Sequence, residues 1–275
     1  MLIAAAVCPH PPLLVPAAAC GAAAELDALR EACDAAVTVL AAADPDLIVT
    51  VGGAAEDAEF AESAAGSLAA YGIGWRTGAG PAVLPLSLTI GRWLLPRAGL
   101  LPAGPAERAG LLGAGPPDRA GPVRADPAER AGPVPAGTAA ARPAPRVRLL
   151  ATAFGTPTHA CLRLGAQIAA RAPRVAVLAM GDGPACLSPQ APGYLDARAR
   201  SYDAGVTAAL ADADAGRLAR LDPDLSADLL VAGRAVWQVL TGAAGEGRFR
   251  GHLHRAEAPY GVSYLVASWT AIAAG

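Results

Sequence analysis

Short apolar runs alternate along this chain with longer segments in which apolar residues recur every three or four positions. A continuous apolar run bounded by glycine or proline is typical of a strand buried on both faces, and the longer spacing is typical of an amphipathic helix. The pattern predicts strands over Leu2–Cys8, Leu47–Val51, Val147–Phe154, Arg174–Met180 and Gly261–Ser268. It predicts helices over Ala22–Ala43, Glu56–Tyr71, Leu86–Leu95, His159–Ala172, Ala197–Ala211 and Pro223–Leu240.

This alternation predicts a single α/β domain over residues 1–275, with a central, largely parallel or mixed sheet flanked by helices. Residues 97–146 interrupt it with a low-complexity segment rich in Pro, Ala, Gly and Arg. Consecutive copies of an eleven-residue repeat occupy 104–114, 115–125 and 126–136. Prolines in each copy exclude a continuous helix, so we expect a disordered insertion whose deletion is tolerated. A proline-rich segment that binds a partner is the alternative.

Composition narrows the functional classes. All 22 basic residues are arginine, and the absence of lysine excludes Schiff-base and P-loop lysine mechanisms. The formal net charge of -2 disfavours a nucleic-acid binder. The 5 cysteines form no C-x-x-C motif, which favours neither a disulfide framework nor structural zinc. No apolar stretch is long enough to span a membrane, and the apolar N-terminus lacks the basic region of a signal peptide, so the sequence predicts a cytoplasmic protein.

Unusual residues follow several predicted strands, and ligands bind at the carboxyl ends of parallel strands. His10, between prolines, is either a metal ligand or general base, or a loop histidine bonded to backbone carbonyls. Asp182, between two glycines, either binds a metal or accepts from a hydroxyl, or forms a tight turn. Cys186 is either a thiolate nucleophile or an inert thiol. His252 and His254 alternate on a polar segment, as either a transition-metal pair or a solvated strand face.

Longer segments carry a family resemblance. They are Ala4–Pro16 (AAAVCPHPPLLVP), Leu47–Gly53 (LIVTVGG), Met180–Ala199 (MGDGPACLSPQAPGYLDARA) and Leu229–Trp269. Together they resemble the subunit-B-like family of class III extradiol ring-cleavage dioxygenases and the related Memo-like proteins. The resemblance covers nearly the whole chain except the repeat segment. It implies an α/β core with a mixed sheet and a pocket at the strand ends. It also implies Fe(II) held by two histidines and a carboxylate, with a further histidine as acid/base.

Residue by residue, most of that implied chemistry is missing here. His10 matches the family's first metal histidine. The place of the second reads Gly52–Ala54, which offers no side-chain ligand. The third ligand's place, before a Gly-Arg pair, is Ala232, and the acid/base position is Ala185 or Cys186. The resemblance therefore implies a dioxygenase ancestry, while the side chains argue against an intact iron site.

Three hypotheses follow. In the first, the iron site is degenerate, no cofactor binds, and the pocket holds a small molecule or a partner. In the second, His10 and Asp182 hold Fe(II) or another divalent metal in a rebuilt site. That site is either a dioxygenase that uses a catechol-type substrate and O₂, or a hydrolase. In the third, the chain is a non-catalytic assembly subunit. A homodimer is expected from analogy alone. The residues expected to line the pocket, beside His10 and Asp182, are Pro12, Gly52, Gly181, Cys186 and Tyr260.

Overall fold

The computed structural model describes residues 1–102 and 144–272. Its strands are β1 Leu2–Cys8, β2 Leu47–Ala54, β3 Ala58–Phe60, β4 Gly66–Ser67, β5 Arg76–Thr77, β6 Arg146–Ala153, β7 Val175–Met180, β8 Phe249–Glu257 and β9 Tyr264–Ala271. Its helices are α1 Pro16–Ala19, α2 Asp27–Ala42, α3 Leu86–Arg97, α4 Thr158–Ala169, α5 Ala199–Ala211, α6 Ala215–Ala219, α7 Pro223–Asp228 and α8 Arg234–Ala244. The predicted repeats at 104–136 lie outside the described residues.

Seven strands form one mixed sheet in the order β3-β6-β2-β7-β1-β9-β8, and β4 pairs separately with β5. The central strands β6, β2, β7 and β1 are parallel to one another. The outer strands β3, β9 and β8 pair in antiparallel fashion. Because β7 lies between β1 and β2, the carboxyl ends of these three strands stand side by side. The α/β architecture with a mixed sheet is therefore as predicted, and its outer part is antiparallel.

Helices cover both faces of this sheet. Alternate residues of β1 point to opposite sides, so Ala5 and Val7 join one apolar core while Ala4 and Ala6 join the other. The first core packs the strands against α4, α5 and α8. The second packs them against α2 and α3. Coverage on both faces explains why the strand sequences are continuously apolar rather than alternating.

The predicted helix over Glu56–Tyr71 is wrong. The chain there forms β3, which pairs with β6, and then the short strand β4. Asp57 accepts hydrogen bonds from the backbone N–H of Ala153 (2.7 Å) and from the hydroxyl of Thr156 (3.3 Å). These long-range contacts hold the segment extended, although its alanine spacing imitates a helix. Local periodicity carries no information about a partner strand that lies almost a hundred residues away.

The predicted helix over Pro223–Leu240 is interrupted. It forms α7 and α8, joined by residues 229–233, with Leu230 at φ 53° in the left-handed region. Gly233 precedes α8, and a Cβ atom there would collide with the indole of Trp237. The break turns α8 onto the sheet and places its first residues at the ends of the strands.

The remaining predicted elements are present, all but β1 with shifted bounds. β1 has the predicted limits because Pro9 ends the apolar run at Cys8. The first long helix begins at Asp27 rather than Ala22, since a 3-10 segment over Cys20–Leu26 precedes it. Among the described residues, no helix has both the length and the apolar character needed to cross a bilayer.

Candidate functional site

The loops after β1 and β7 bring His10 and Asp182 together. The two strands are parallel neighbours, so residues that follow them emerge at the same end of the sheet. The backbone N–H of His10 donates to Oδ1 of Asp182 at 2.8 Å. The ring Nδ1 of His10 lies 3.5 Å from the same oxygen. The geometry thus places these two predicted residues in one site.

Burial sets the electrostatics of this pair. His10 is only 7% exposed, and its Nδ1 has no hydrogen-bond partner among the described residues. Burial raises the pKa of the Asp182 carboxyl, and His10 offsets part of that rise. Burial is the main cause that raises the pKa of the Tyr264 phenol, and the nearby Asp182 carboxyl is the next. An imidazole, a carboxyl and a phenol therefore share a largely water-free environment.

The predicted pocket residues Tyr260 and Pro12 lie at the outer side of this cluster. The Tyr260 hydroxyl donates to Oε2 of Glu25 at 3.0 Å, and burial, followed by Glu25, raises its pKa. Pro12 is half-buried and begins the 3-10 turn after β1. Both residues can contact a molecule that approaches from solvent, and the described hydrogen bonds link neither of them to the His10–Asp182 pair.

The predicted pocket glycines are packing positions. A Cβ on Gly52 would approach Cβ of Ser87 to 2.8 Å. One on Gly53 would lie 2.9 Å from the carbonyl oxygen of Ala232, and one on Gly181 would collide with Cα of Gly233. The backbone that leads into α8 thus lies directly against the ends of β2 and β7.

Cys186 has the surroundings of an inert thiol. The residue is 2% exposed, and its Sγ donates to the carbonyl of Leu229 at 3.5 Å. Burial is the main cause that raises the pKa of its thiol. A raised pKa lowers the thiolate fraction at neutral pH, so this environment disfavours the nucleophile interpretation.

His252 and His254 lie on β8, which is an edge strand of the sheet. The pairing with β9 is irregular between Leu253 and Arg255. The two imidazole rings contact each other edge to face, with their centroids 4.5 Å apart. Nε2 of His254 is hydrogen-bonded to the Ser268 hydroxyl at 2.8 Å. Burial and then His252 lower the pKa of His254. Across residues 1–102 and 144–272, no three His, Cys, Asp or Glu residues are grouped as a metal centre.

A cavity of about 460 Å³ opens beyond the carboxyl end of β6, beside the ends of β2 and β7. None of the residues predicted to line a pocket contacts it. Most of its walls come from the end of β6, helix α7 and the segment before α8. The lining residues are Phe154, Gly155, Pro223, Asp224, Ser226, Ala227, Leu230, Val231, Ala232 and Arg234. In the sequence, one position pointed to this region. It is Ala232, before Gly233-Arg234, which the family resemblance aligns with the third metal ligand.

Arg234 forms part of the cavity wall and holds its rim together. The residue is 3% exposed. Its Nη1 donates to the Thr156 carbonyl at 2.5 Å and to Oε1 of Gln238 at 3.1 Å, and its Nη2 donates to the Phe154 carbonyl. These bonds tie the first turn of α8 to the loop after β6. Sequence reasoning did not identify this residue, because its two carbonyl partners lie about 80 positions away.

No protein-family model and no curated protein matches this chain. Among solved structures, the crystal structure of an uncharacterized protein from Escherichia coli K12 is similar to it. The match covers 98% of this chain and 99% of that chain, with 14% sequence identity and a TM-score of 0.45.

Proposed function

We propose that this chain is a degenerate relative of the subunit-B-like extradiol dioxygenases that binds a small organic molecule in the cavity beyond β6. The observation that carries the proposal is the close backbone contact of Ala232 and Gly233 with Gly53 and Gly181 at the ends of β2 and β7. The resemblance would require metal ligands at Gly52–Ala54 and Ala232, and these positions carry no ligating side chain. A cavity of about 460 Å³ lies beside this contact, at the end of β6.

The residues present do not fit Fe(II). A facial triad needs three side-chain ligands and open positions for substrate. His10 supplies one imidazole, and the nearest carboxylate oxygen, Oδ1 of Asp182, already accepts the His10 backbone N–H. The positions of the second histidine and the third ligand carry glycine and alanine. These residues therefore do not support an iron-dependent catalytic step.

The cavity has the character of a small-molecule site. Its volume of about 460 Å³ lies within the range of roughly 300–1,000 Å³ that such sites occupy. Its walls are mainly apolar, with the exposed side chains of Phe154 and Leu230 at the opening. Exposed apolar side chains around a concave, apolar surface favour ligand binding over a purely structural role.

Binding of the neutral, apolar fluorophore N-phenyl-1-naphthylamine tests this proposal. We expect one probe per chain, detected as a rise in its fluorescence. Ala227→Trp places an indole at the cavity wall and should abolish most of that rise. Ala166→Trp is the matched control, because Ala166 is likewise an exposed alanine on a helix but lies on α4, outside the cavity lining. Equal probe binding by both variants would contradict the assignment of this cavity.

A metal-dependent function is the second candidate, and the buried, unpartnered Nδ1 of His10 beside Asp182 favours it within the described part of the chain. Metal analysis distinguishes this candidate from the proposed function. The untagged protein is purified anaerobically and offered Fe(II), Mn(II) and Zn(II) in turn. We expect no metal above background. Near-stoichiometric metal that is lost in His10→Ala would instead favour a rebuilt site and justify an assay with a catechol and O₂.

A further inference from the structure

The cavity wall contains a buried positive charge whose described partners include no carboxylate. Arg234 is 3% exposed and contributes to the lining. All the acceptors of its described hydrogen bonds are uncharged: two backbone carbonyls and the side-chain amide oxygen of Gln238. Burial of a charge that only neutral dipoles solvate costs free energy. An anion placed beside such a charge is therefore strongly stabilised.

Nearby acidic residues do not neutralise this guanidinium directly. Among the described residues, no carboxylate lies within ion-pair distance of Arg234. Asp57 reaches the same loop, but its Oδ1 bonds the Thr156 hydroxyl and the Ala153 N–H instead. Asp224 lines the cavity but is exposed to solvent, where water screens its charge. Among the described residues, Arg234 therefore lines the cavity without a direct counter-ion.

Arg234 also retains unused hydrogen-bond donors. A guanidinium has five N–H groups, and the described bonds of Arg234 use both hydrogens of Nη1 and one of Nη2. In the described part of the chain, Nε–H and the second Nη2 hydrogen have no acceptor. Elsewhere in this molecule, Arg97 binds both carboxylate oxygens of Asp34 with its Nε and Nη2 atoms. The donors left on Arg234 belong to the same two nitrogens, which suit a carboxylate.

We propose that the ligand of this cavity is a small apolar carboxylate whose carboxylate group pairs with Arg234 and whose aromatic or branched aliphatic body packs against Phe154 and Leu230. This inference rests on the proposed function, since it names the ligand class of the same cavity. The walls around the charge include Ala227, Val231 and Ala232, whose side chains offer no further ionic partner. A molecule with one anionic end and an apolar body satisfies both parts of the lining.

Displacement of bound N-phenyl-1-naphthylamine by 2-naphthoate and by 2-naphthamide tests the charge requirement. The two competitors share the same ring system and nearly the same shape, so they differ mainly in the charge that faces Arg234. We expect 2-naphthoate to bind about 10- to 100-fold more tightly than the amide. Arg234→Met should reduce this preference to less than about threefold, and Arg234→Lys should retain part of it because it keeps the charge.

The outcomes separate the two proposals. If the probe binds and the acid and amide displace it equally, the carboxylate inference is wrong while the cavity proposal stands. The carboxylate inference is also wrong if neither competitor displaces the probe. If the probe does not bind the wild-type chain at all, the proposed function fails, and the carboxylate inference fails with it. The comparison of acid with amide uses the wild-type protein, so it holds even if Arg234→Met does not fold.

Discussion

Gly181, directly after β7, lies with its backbone against Gly233, directly before α8, and this contact leaves no space for a side chain on Gly181. The N–H of Gly233 donates to the carbonyl of Asp182 at 2.9 Å and fixes this approach. Two glycines far apart in the sequence thus let the start of a helix rest on the end of a buried strand. Asp182, bonded to His10, and Arg234, in the cavity wall, are the next residues after these two glycines.

Gly181→Ala should therefore destabilise the protein. The new Cβ would collide with backbone atoms of Gly233, which cannot move without shifting α8, so we expect a loss of about 3 kcal/mol in the free energy of unfolding. Gly74→Ala is the matched control, because a Cβ there meets nothing within 4 Å. Urea unfolding measures both. A Gly181→Ala variant as stable as Gly74→Ala would mean that the contact is not tightly packed.

The raised pKa of Asp182 predicts a specific pH dependence of stability. Since folding raises this pKa, the protonated carboxyl is favoured in the folded state, and its stabilising contribution is lost as the pH rises through the folded pKa. Asp182→Asn mimics the neutral acid, and its amide oxygen can still accept the His10 N–H. We therefore expect Asp182→Asn to gain stability relative to wild type as the pH rises from about 4 to about 8.

Asp196→Asn should show a pH dependence of stability opposite to that of Asp182→Asn. Hydrogen bonds from the Arg198 side chain and backbone lower the pKa of Asp196, so its ionised form contributes stability that is lost on acidification. The Asn variant should fall below wild type at neutral pH and approach it at low pH. Urea unfolding of both variants at several pH values distinguishes the two slopes. Parallel slopes would contradict the electrostatic environment described for Asp182.

Arg234→Met should destabilise the chain even without a ligand. The substitution removes charge-assisted hydrogen bonds to Phe154 and Thr156 and leaves their carbonyls without these donors, while it also removes a costly buried charge. The first effect dominates, and we expect a net loss of about 2 kcal/mol. Arg248→Met, at an exposed arginine, should change stability by less than about 0.5 kcal/mol. Equal thermal unfolding of both variants would show that Arg234 does not hold the loop after β6.

Local sequence patterns were sufficient for elements whose boundaries are set by their own residues. β1 ends where proline begins, and β7 is a continuous apolar run that ends before Gly181. The segment after β2 could not be predicted in this way, because β3 depends on pairing with β6. The same limit applies to the break at Leu230, where a non-glycine residue adopts a left-handed conformation only because its surroundings hold it there.

The candidate site was only partly predictable for a related reason. His10 and Asp182 follow adjacent strands, so strand-end reasoning was enough to bring them together. The cavity instead combines Phe154 with residues some 70 positions later, and its shape depends on how α7 and α8 are joined. A glycine in the sequence also does not reveal whether it opens a pocket or closes one. Gly52 and Gly181 were expected to border open space, whereas both pack against neighbouring atoms.

The buried thiol of Cys186 gives a final prediction about reactivity. Because Cys186 is 2% exposed and burial raises the pKa of its thiol, it should react with a maleimide only when the surrounding structure opens. Ala166→Cys supplies an exposed reference thiol in the same chain. Peptide mass spectrometry after timed labelling should show Cys186 modified at least about 100-fold more slowly than this introduced thiol, with the difference lost in denaturant. Labelling of both at similar rates in the native protein would identify Cys186 as a reactive thiol and favour its interpretation as a nucleophile.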